Sequence, residues 1–167
     1  FRALELDPKA LLSCAEESTP DAVVGFVGPL DHTGEKWVSD DWAAVLKRRT
    51  VSLIPGDSLL GLRLPLGRLP EDTLKRAMTV EVREGSLALF IPPLTTAAYQ
   101  TLLPLIERCL VAAKLRDVVL AGYAPPIDGA LPTIGFASDP GVIEINLTPC
   151  ATWEGYDRQL EQLFEAA

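Results

Sequence analysis

The chain has 167 residues, of which 48% are hydrophobic and 23% are charged. This length and composition fit one globular domain with a buried core and exclude a disordered chain. The formal net charge of −8 argues against a nucleic-acid or anionic-membrane partner, because both reward clustered Lys and Arg. No apolar run reaches about 18 residues and no signal-peptide pattern is present, so neither a transmembrane helix nor secretion is expected.

The ends of the chain indicate a piece of a longer protein. It begins at Phe1 instead of methionine and ends at Ala167, directly after a helical pattern. We expect residues 1–167 to form a single domain excised from a multidomain chain. The other domains of that chain, and a small-molecule or peptide substrate, are the expected partners.

No complete zinc-binding or nucleophilic set is present in the sequence. The three cysteines, Cys14, Cys109 and Cys150, are widely spaced, and His32 is the sole histidine. A Cys/His zinc site and a Ser-His-Asp triad are therefore not expected. Free thiols in a reducing cytoplasm are the simplest interpretation, so a cytoplasmic location is expected.

Residues 1–58 predict two short helices and two strands. Asp7 as N-cap and Pro8 at the first helical position begin the first helix, and Asp40 or Asp41 caps the second. The predicted elements are a helix over 9–17, a strand over 22–27, an exposed loop over 30–39 that holds His32, a helix over 42–47, a strand over 50–54 and a turn over 55–58.

The rest of the chain predicts two hairpins, a long helix, a single strand and a final helix. Gly85 suits the turn of the first hairpin, and Pro104 predicts a kink in the long helix or a later start. The elements are a hairpin of 78–82 and 86–91, a helix from Thr95 or Thr96 to about 115, a strand over 118–121, a Pro/Gly-rich loop through 131, a hairpin within 133–149, and a helix over 153–164.

The order of elements along the whole chain is not a regular βαβ alternation. It predicts an α+β fold with a mixed or mainly antiparallel sheet and helices packed on one face.

The second hairpin carries the first candidate site. Strand alternation places Glu144 and Asn146 on one face, about 7 Å apart, and Ile143 and Ile145 on a core-directed face. A carboxylate and a carboxamide at this spacing can hold a cation or a polar ligand. Alternatively, this face simply meets water, as one face of an antiparallel sheet often does.

Three further places carry polar residues that folding alone does not require. Asp57 and Ser58 follow a strand, and residues 123–128, with Tyr123 and Asp128 at their ends, follow another. Arg63 lies in an apolar segment, where it either points outward or has an anionic partner. These residues either converge with Glu144 and Asn146 on one cleft or are each satisfied locally.

Several segments resemble a family of large bacterial proteins that carry a transglutaminase-like domain followed by an amidoligase region. The similar segments are Leu-Ile-Pro-Gly-Asp-Ser at 53–58, Gly-Leu-Arg-Leu-Pro-Leu at 61–66, Phe-Ile-Pro-Pro at 90–93, Gly-Tyr-Ala-Pro-Pro at 122–126, and Asp-Pro-Gly-Val-Ile-Glu-Ile-Asn at 139–146 with Pro149 and Trp153. They cover roughly residues 49–164, and the first fifty residues carry no such motif.

The resemblance implies a glutamine-synthetase-like carboxylate–amine ligase fold that binds ATP and magnesium and forms an amide through an acyl phosphate. It implies that Glu144 is a magnesium ligand and that Asn146 binds metal or nucleotide. Arg63 would contact phosphate or the substrate carboxylate, and Asp57 would position one of them. Thr148 replaces a histidine of the family, and a further glycine-rich motif falls beyond Ala167, so these residues alone are expected to be inactive.

Two other functions fit the same sequence. One is a non-catalytic module that binds peptide or carbohydrate beside a transglutaminase-like protease domain. The other is a purely structural domain, in which the polar sites would be scattered over the fold. The position of Arg63, Glu144 and Asn146 relative to one concave surface would discriminate among these functions.

Overall fold

A computed structural model describes residues 1–126 and 134–166. The chain divides into two compact units, Phe1–Pro126 and Ile127–Ala167. Each unit is an α+β assembly of strands and helices, as the sequence predicts. The expectation of a single domain excised from a longer chain stays a prediction. Residues 127–131 of the predicted Pro/Gly-rich loop, which include Asp128, lie outside the described residues, as does Thr133.

A mixed six-stranded sheet forms the centre of the first unit. Its strands, in spatial order, are β5-β1-β2-β6-β7-β8. The β1–β5 and β7–β8 pairs are parallel, and the other pairs are antiparallel. The strand bounds are β1 Leu12–Glu16, β2 Thr19–Pro29, β5 Thr50–Ser52, β6 Ala77–Arg83, β7 Ser86–Ile91 and β8 Val118–Gly122, with the small hairpin β3 Asp31–His32 and β4 Trp37–Val38 beside them.

Each face of this sheet has its own apolar core, because neighbouring residues of a strand point to opposite faces. On one face, Leu89 and Ile91 pack against the long helix α2, Thr96–Ala113, through Leu102 and Ile106. The other face is covered by a thinner layer. Its core members include strand residues, Trp42 of the short helix α1 (Trp42–Leu46), and the segment after β5: Leu12, Cys14, Val27, Trp42, Val51, Leu53, Leu60, Leu64, Leu69 and Ala77.

The predicted helix over 9–17 is wrong. Only Pro8–Ala10 forms a single 3₁₀ turn, with the Asp7 side chain accepting from the Lys9 amide, and β1 follows directly. Leu12 and Cys14 alternate toward one face, and β1 pairs with both β2 and β5. Pairing on both edges therefore overrides a short apolar spacing that fits either a helix or a strand.

The segment over 30–39 is a hairpin, and the predicted exposed loop is wrong. His32 stacks edge-on against Trp37 across β3 and β4, with ring centroids 4.8 Å apart. The Gly34 amide donates to His32 Nδ1 at 3.2 Å. His32 therefore has a local structural role, and both rings are only partly exposed.

The predicted hairpin of β6 and β7 and the predicted long helix are confirmed. Glu84 and Gly85 form the two-residue turn, both with positive φ (52° and 82°), the conformation that suits a tight hairpin. Thr95 caps α2 by accepting from the Ala98 amide at 3.3 Å. The helix begins at Thr96 and contains Pro104 in its interior, so the alternative of a later start is wrong.

The second unit contains a hairpin and a helix, both as predicted. Strands β9, Gly135–Asp139, and β10, Val142–Asn146, are antiparallel around Pro140 and Gly141. The helix α3, Trp153–Ala166, begins after Thr152, whose hydroxyl accepts from the Gly155 amide at 3.2 Å. Within the described residues of both units, no helix combines the length and apolarity needed to cross a membrane.

The α2 core predicts a clear stability difference between two positions of one helix. Leu102 is 1% exposed, whereas Val111 is 72% exposed. Leu102→Ala should lower the free energy of unfolding by roughly 2–5 kcal/mol, since it removes buried methyl groups and leaves a cavity. Val111→Ala should change it by less than about 0.5 kcal/mol. Urea unfolding followed by circular dichroism measures both, and equal losses would contradict this packing.

Candidate functional site

Arg63 does have an anionic partner, and this partner is Glu16 at the end of β1. The Arg63 Nη2 group forms an ion pair with Glu16 Oε2, and Arg63 Nε donates to the Ile54 carbonyl at 2.9 Å. The Ile54 amide in turn donates to the Arg63 carbonyl at 2.8 Å. With its side chain only 11% exposed, Arg63 closes the turn over residues 55–58 against the sheet.

Asp57 lies in that turn and is exposed. Its backbone carbonyl accepts a hydrogen bond from Arg83 Nη2 at 2.6 Å. Its carboxylate makes no hydrogen bond or ion pair with any described residue, so it is available to a ligand. The structure therefore places Asp57 and Arg63, two of the predicted site residues, in one short segment of the first unit.

A second carboxylate under the same segment was missed by the sequence analysis. Glu81 of β6 accepts a hydrogen bond from the Leu60 amide through Oε1 at 2.7 Å. It lies in register with Gly25 of β2, which itself pairs with Cys14 of β1. Burial, and secondarily the Glu81 charge, raise the pKa of the Cys14 thiol to about 12. Cys14 is therefore a neutral core thiol and not a nucleophile.

Thr79 supplies the one unpartnered buried side-chain oxygen in the described part of the chain. Its hydroxyl has no hydrogen-bond partner, and the residue lies in β6 between Val27 and Phe90 on the neighbouring strands. An unpaired buried hydroxyl lowers stability by roughly 1–3 kcal/mol.

On the other side of the same 3₁₀ helix, Leu60–Arg63, lies a cavity of about 210 Å³ that we call the Phe90 cavity. Four separated stretches meet there: the 3₁₀ helix and the residues after it, the start of β6 with the two residues before it, the end of β7, and the residue after β8. Its lining residues are Gly61, Leu62, Leu64, Leu66, Lys75, Arg76, Ala77, Phe90, Pro92, Pro93 and Tyr123. Tyr123 was among the predicted polar positions, whereas Lys75 was missed because it lies in a polar loop that resembles any solvated turn.

Glu144 and Asn146 lie on one face of β10, opposite Ala137 and Gly135 of β9. Every residue of β10 is exposed, including Ile143 at 70% and Ile145 at 39%. The prediction that these isoleucines face a core is therefore wrong. A two-stranded hairpin has two open faces, and alternation in the sequence does not show which face another element covers.

Glu144 and Asn146 offer two of the several ligands that a metal ion needs. A carboxylate and a carboxamide supply oxygen ligands of the kind that magnesium prefers. Among the described residues, no group of three or more His, Cys, Asp or Glu side chains could hold a metal ion. Residues 144 and 146 thus fit a site in which water or substrate oxygens complete the coordination. The role of both residues stays a prediction, as does their convergence with Arg63 and Asp57.

The Arg63 contacts predict a loss of stability on truncation. Arg63→Ala should lower the free energy of unfolding by roughly 1–3 kcal/mol, because it leaves the Glu16 carboxylate and the Ile54 carbonyl without their donors. Arg68→Ala is the matched control, since Arg68 is exposed and its side chain makes no hydrogen bond or ion pair with any described residue. Denaturant unfolding compares the two variants, and an unchanged Arg63→Ala protein would refute the structural role.

The raised pKa of Cys14 predicts a pH dependence of stability. The unfolded thiol ionises near 9.0, whereas the folded thiol stays protonated to about 12. The folded state therefore binds more protons in this range, and its stability falls as the pH rises from 9 toward 12. Cys14→Ala should show a shallower fall over this range. Equal slopes for the two proteins in pH-dependent urea unfolding would contradict the buried neutral thiol.

Comparison with known proteins gives a family for the chain. It matches the family described as "Putative amidoligase enzyme (DUF2126)" over residues 5–75 and 70–167. The match includes the first fifty residues, in which the sequence analysis found no motif. Searches of curated proteins and of solved structures returned no match. Because the family match spans nearly all of the sequence, the chain belongs to this family.

Proposed function

We propose that this chain forms part of an ATP- and magnesium-dependent amidoligase that joins a carboxylate to an amine through an acyl phosphate. One observation carries the proposal: four separated stretches of the chain meet around the Phe90 cavity. Three of them, 61–66, 90–93 and the segment after β8, resemble segments of amidoligase proteins. A cavity built from separated segments is the usual setting for a ligand site.

The proposed reaction has two displacement steps. A carboxylate oxygen of the substrate attacks the γ-phosphorus of ATP, the bond to the β,γ-bridging oxygen breaks, and ADP leaves. The amine nitrogen then attacks the acyl carbon, and the carbon–oxygen bond breaks to release phosphate, with a proton lost from nitrogen. Bound magnesium would neutralise charge on the phosphoryl oxygens.

The residues of this chain would bind and orient the reactants. Arg63 would hold the turn that carries Asp57, because its Nε and Nη2 groups are already engaged by the fold. Its remaining Nη1 group would reach a phosphate or carboxylate oxygen. Glu144 would bind the magnesium ion, and Asn146 would bind the ion or the nucleotide. Asp57, whose carboxylate has no partner among the described residues, would position one reactant.

The proposed setting is a reducing cytoplasm, beside further domains that include a transglutaminase-like one. All three cysteines are free, which fits that compartment. The alternative is a non-catalytic module that binds peptide or carbohydrate for its neighbours. Binding that ignores both ATP and magnesium would favour this alternative.

Calorimetry with a non-hydrolysable ATP analogue tests the metal role. A longer protein that contains this chain should bind the analogue in millimolar magnesium. Glu144→Gln in that protein should weaken magnesium-dependent binding by roughly tenfold or more, since substitutions of residues that only support a metal ligand already reach that range. Glu161→Gln is the matched control. It makes the same change, from a carboxylate to a carboxamide, at an exposed residue of α3. Its binding should equal that of the unmodified protein.

Two outcomes would count against the proposal. Equal analogue binding with and without magnesium would remove the metal from the site. Equal binding by the Glu144→Gln and Glu161→Gln proteins would remove Glu144 from the metal.

A further inference from the structure

We propose that the Phe90 cavity binds a carboxylate carried on an apolar or aromatic group, such as the C-terminal residue of a peptide, with Lys75 as its cation. This inference rests on the proposed function, for which it names the acid substrate. It also stands on observations within the first unit alone, since every lining residue belongs to Phe1–Pro126.

The charges around the cavity favour an anion. Acidic residues outnumber Lys and Arg by 23 to 15 in the chain, yet no described acidic residue lines this cavity. Its two charged lining residues are Lys75 and Arg76. Arg76 is already paired with Asp31, at 2.6 Å from Nη1 to Oδ2. Lys75 has no hydrogen bond or ion pair with any described residue, so its ammonium group is available to a ligand.

The aromatic lining residues of the cavity favour a ligand that carries an apolar or aromatic group next to its anionic group. Phe90 and Tyr123 meet edge-to-face with centroids 6.0 Å apart, and Tyr123 is 50% exposed. A half-exposed aromatic ring at a cavity mouth can gain contact area from a bound apolar group. Gly61 lets the 3₁₀ helix lie directly against the Phe90 ring, because a Cβ at this position would overlap that ring.

The small volume of the cavity and the lack of backbone N–H donors at two of its lining residues argue against binding of a whole nucleotide. The volume of about 210 Å³ is below the roughly 300–1,000 Å³ of sites that enclose drug-sized ligands. Pro92 and Pro93 lack the backbone N–H groups that would read the edge of a base. A single amino-acid side chain with its carboxylate fits these limits better.

The test compares two probes that differ only in charge. N-acetyl-L-phenylalanine and its uncharged amide are titrated into the protein without ATP or magnesium, and binding is followed by NMR shifts of the cavity residues. The carboxylate should bind about fivefold more tightly than the amide, the upper range for a partly exposed ion pair. Lys75→Gln should abolish this preference, and Lys9→Gln, at an exposed lysine outside the cavity, should preserve it.

A second variant tests the contact with the apolar group of the ligand separately from the contact with its carboxylate. Tyr123→Ala removes a half-exposed ring without opening the core, and it should weaken both probes alike. Equal binding of the two probes, or a preference that survives Lys75→Gln, would overturn the proposal. Lys75-dependent binding of AMP in place of the carboxylate would overturn it in favour of a nucleotide. Because no ATP or magnesium is present, this result is independent of the Glu144 experiment.

Discussion

The close seating of the 3₁₀ helix Leu60–Arg63 on the sheet is the constraint on which the candidate site depends. Two glycines permit it. A Cβ on Gly25 would lie 2.6 Å from the Leu60 Cδ1 atom and 2.5 Å from the Val80 carbonyl oxygen, and a Cβ on Gly61 would overlap the Phe90 ring. A larger residue at position 61 would have to push the helix away from Phe90, and one at position 25 would have to displace the Leu60 side chain and the β6 backbone. These shifts would open the core that Leu60 closes and change the shape of the Phe90 cavity.

The same seating determines where the charges of this face are held. The Leu60 amide binds the Glu81 carboxylate, and the Arg63 side chain binds Glu16. Both carboxylates are partly exposed at the edge of an apolar core. The segment therefore covers the core and also supplies hydrogen-bond donors to the two acidic side chains that border it. Arg63 contributes to the fold whether or not it also contacts a ligand.

The sequence predicted the fold class and the local elements with strong signals. The turn at Glu84 and Gly85 and the cap at Thr95 depend on neighbouring residues, so their patterns were sufficient. The helix over 9–17 was wrong because the pairing of β1 with the distant strand β5, which no local pattern encodes, decides its structure. The loop over 30–39 was wrong because its two strands are only two residues long and pair with each other, so they leave no alternating pattern in the sequence.

Contacts made across long sequence separations also explain which site residues were missed. Arg63 stood out in the sequence because a cation in an apolar segment is destabilising unless it is paired with an anion. In the structure its partner is Glu16, 47 residues away. Nothing in the sequence around Glu16, Glu81 or Lys75 departs from an ordinary surface pattern. Their significance comes only from the sheet register and from the segment that folds over it.

The ion pairs that the basic residues around this segment already form influence where an anionic ligand would bind. A ligand that took over the Nη2 group of Arg63 would leave Glu16 without its partner, and one that displaced Asp31 from Arg76 would do the same there. In both cases the binding free energy is reduced by the cost of breaking an existing pair. Lys75 has no such pair among the described residues. An anion at the Phe90 cavity would therefore gain its contact with Lys75 without loss to the fold, whereas contact with Arg63 is limited to its remaining Nη1 group.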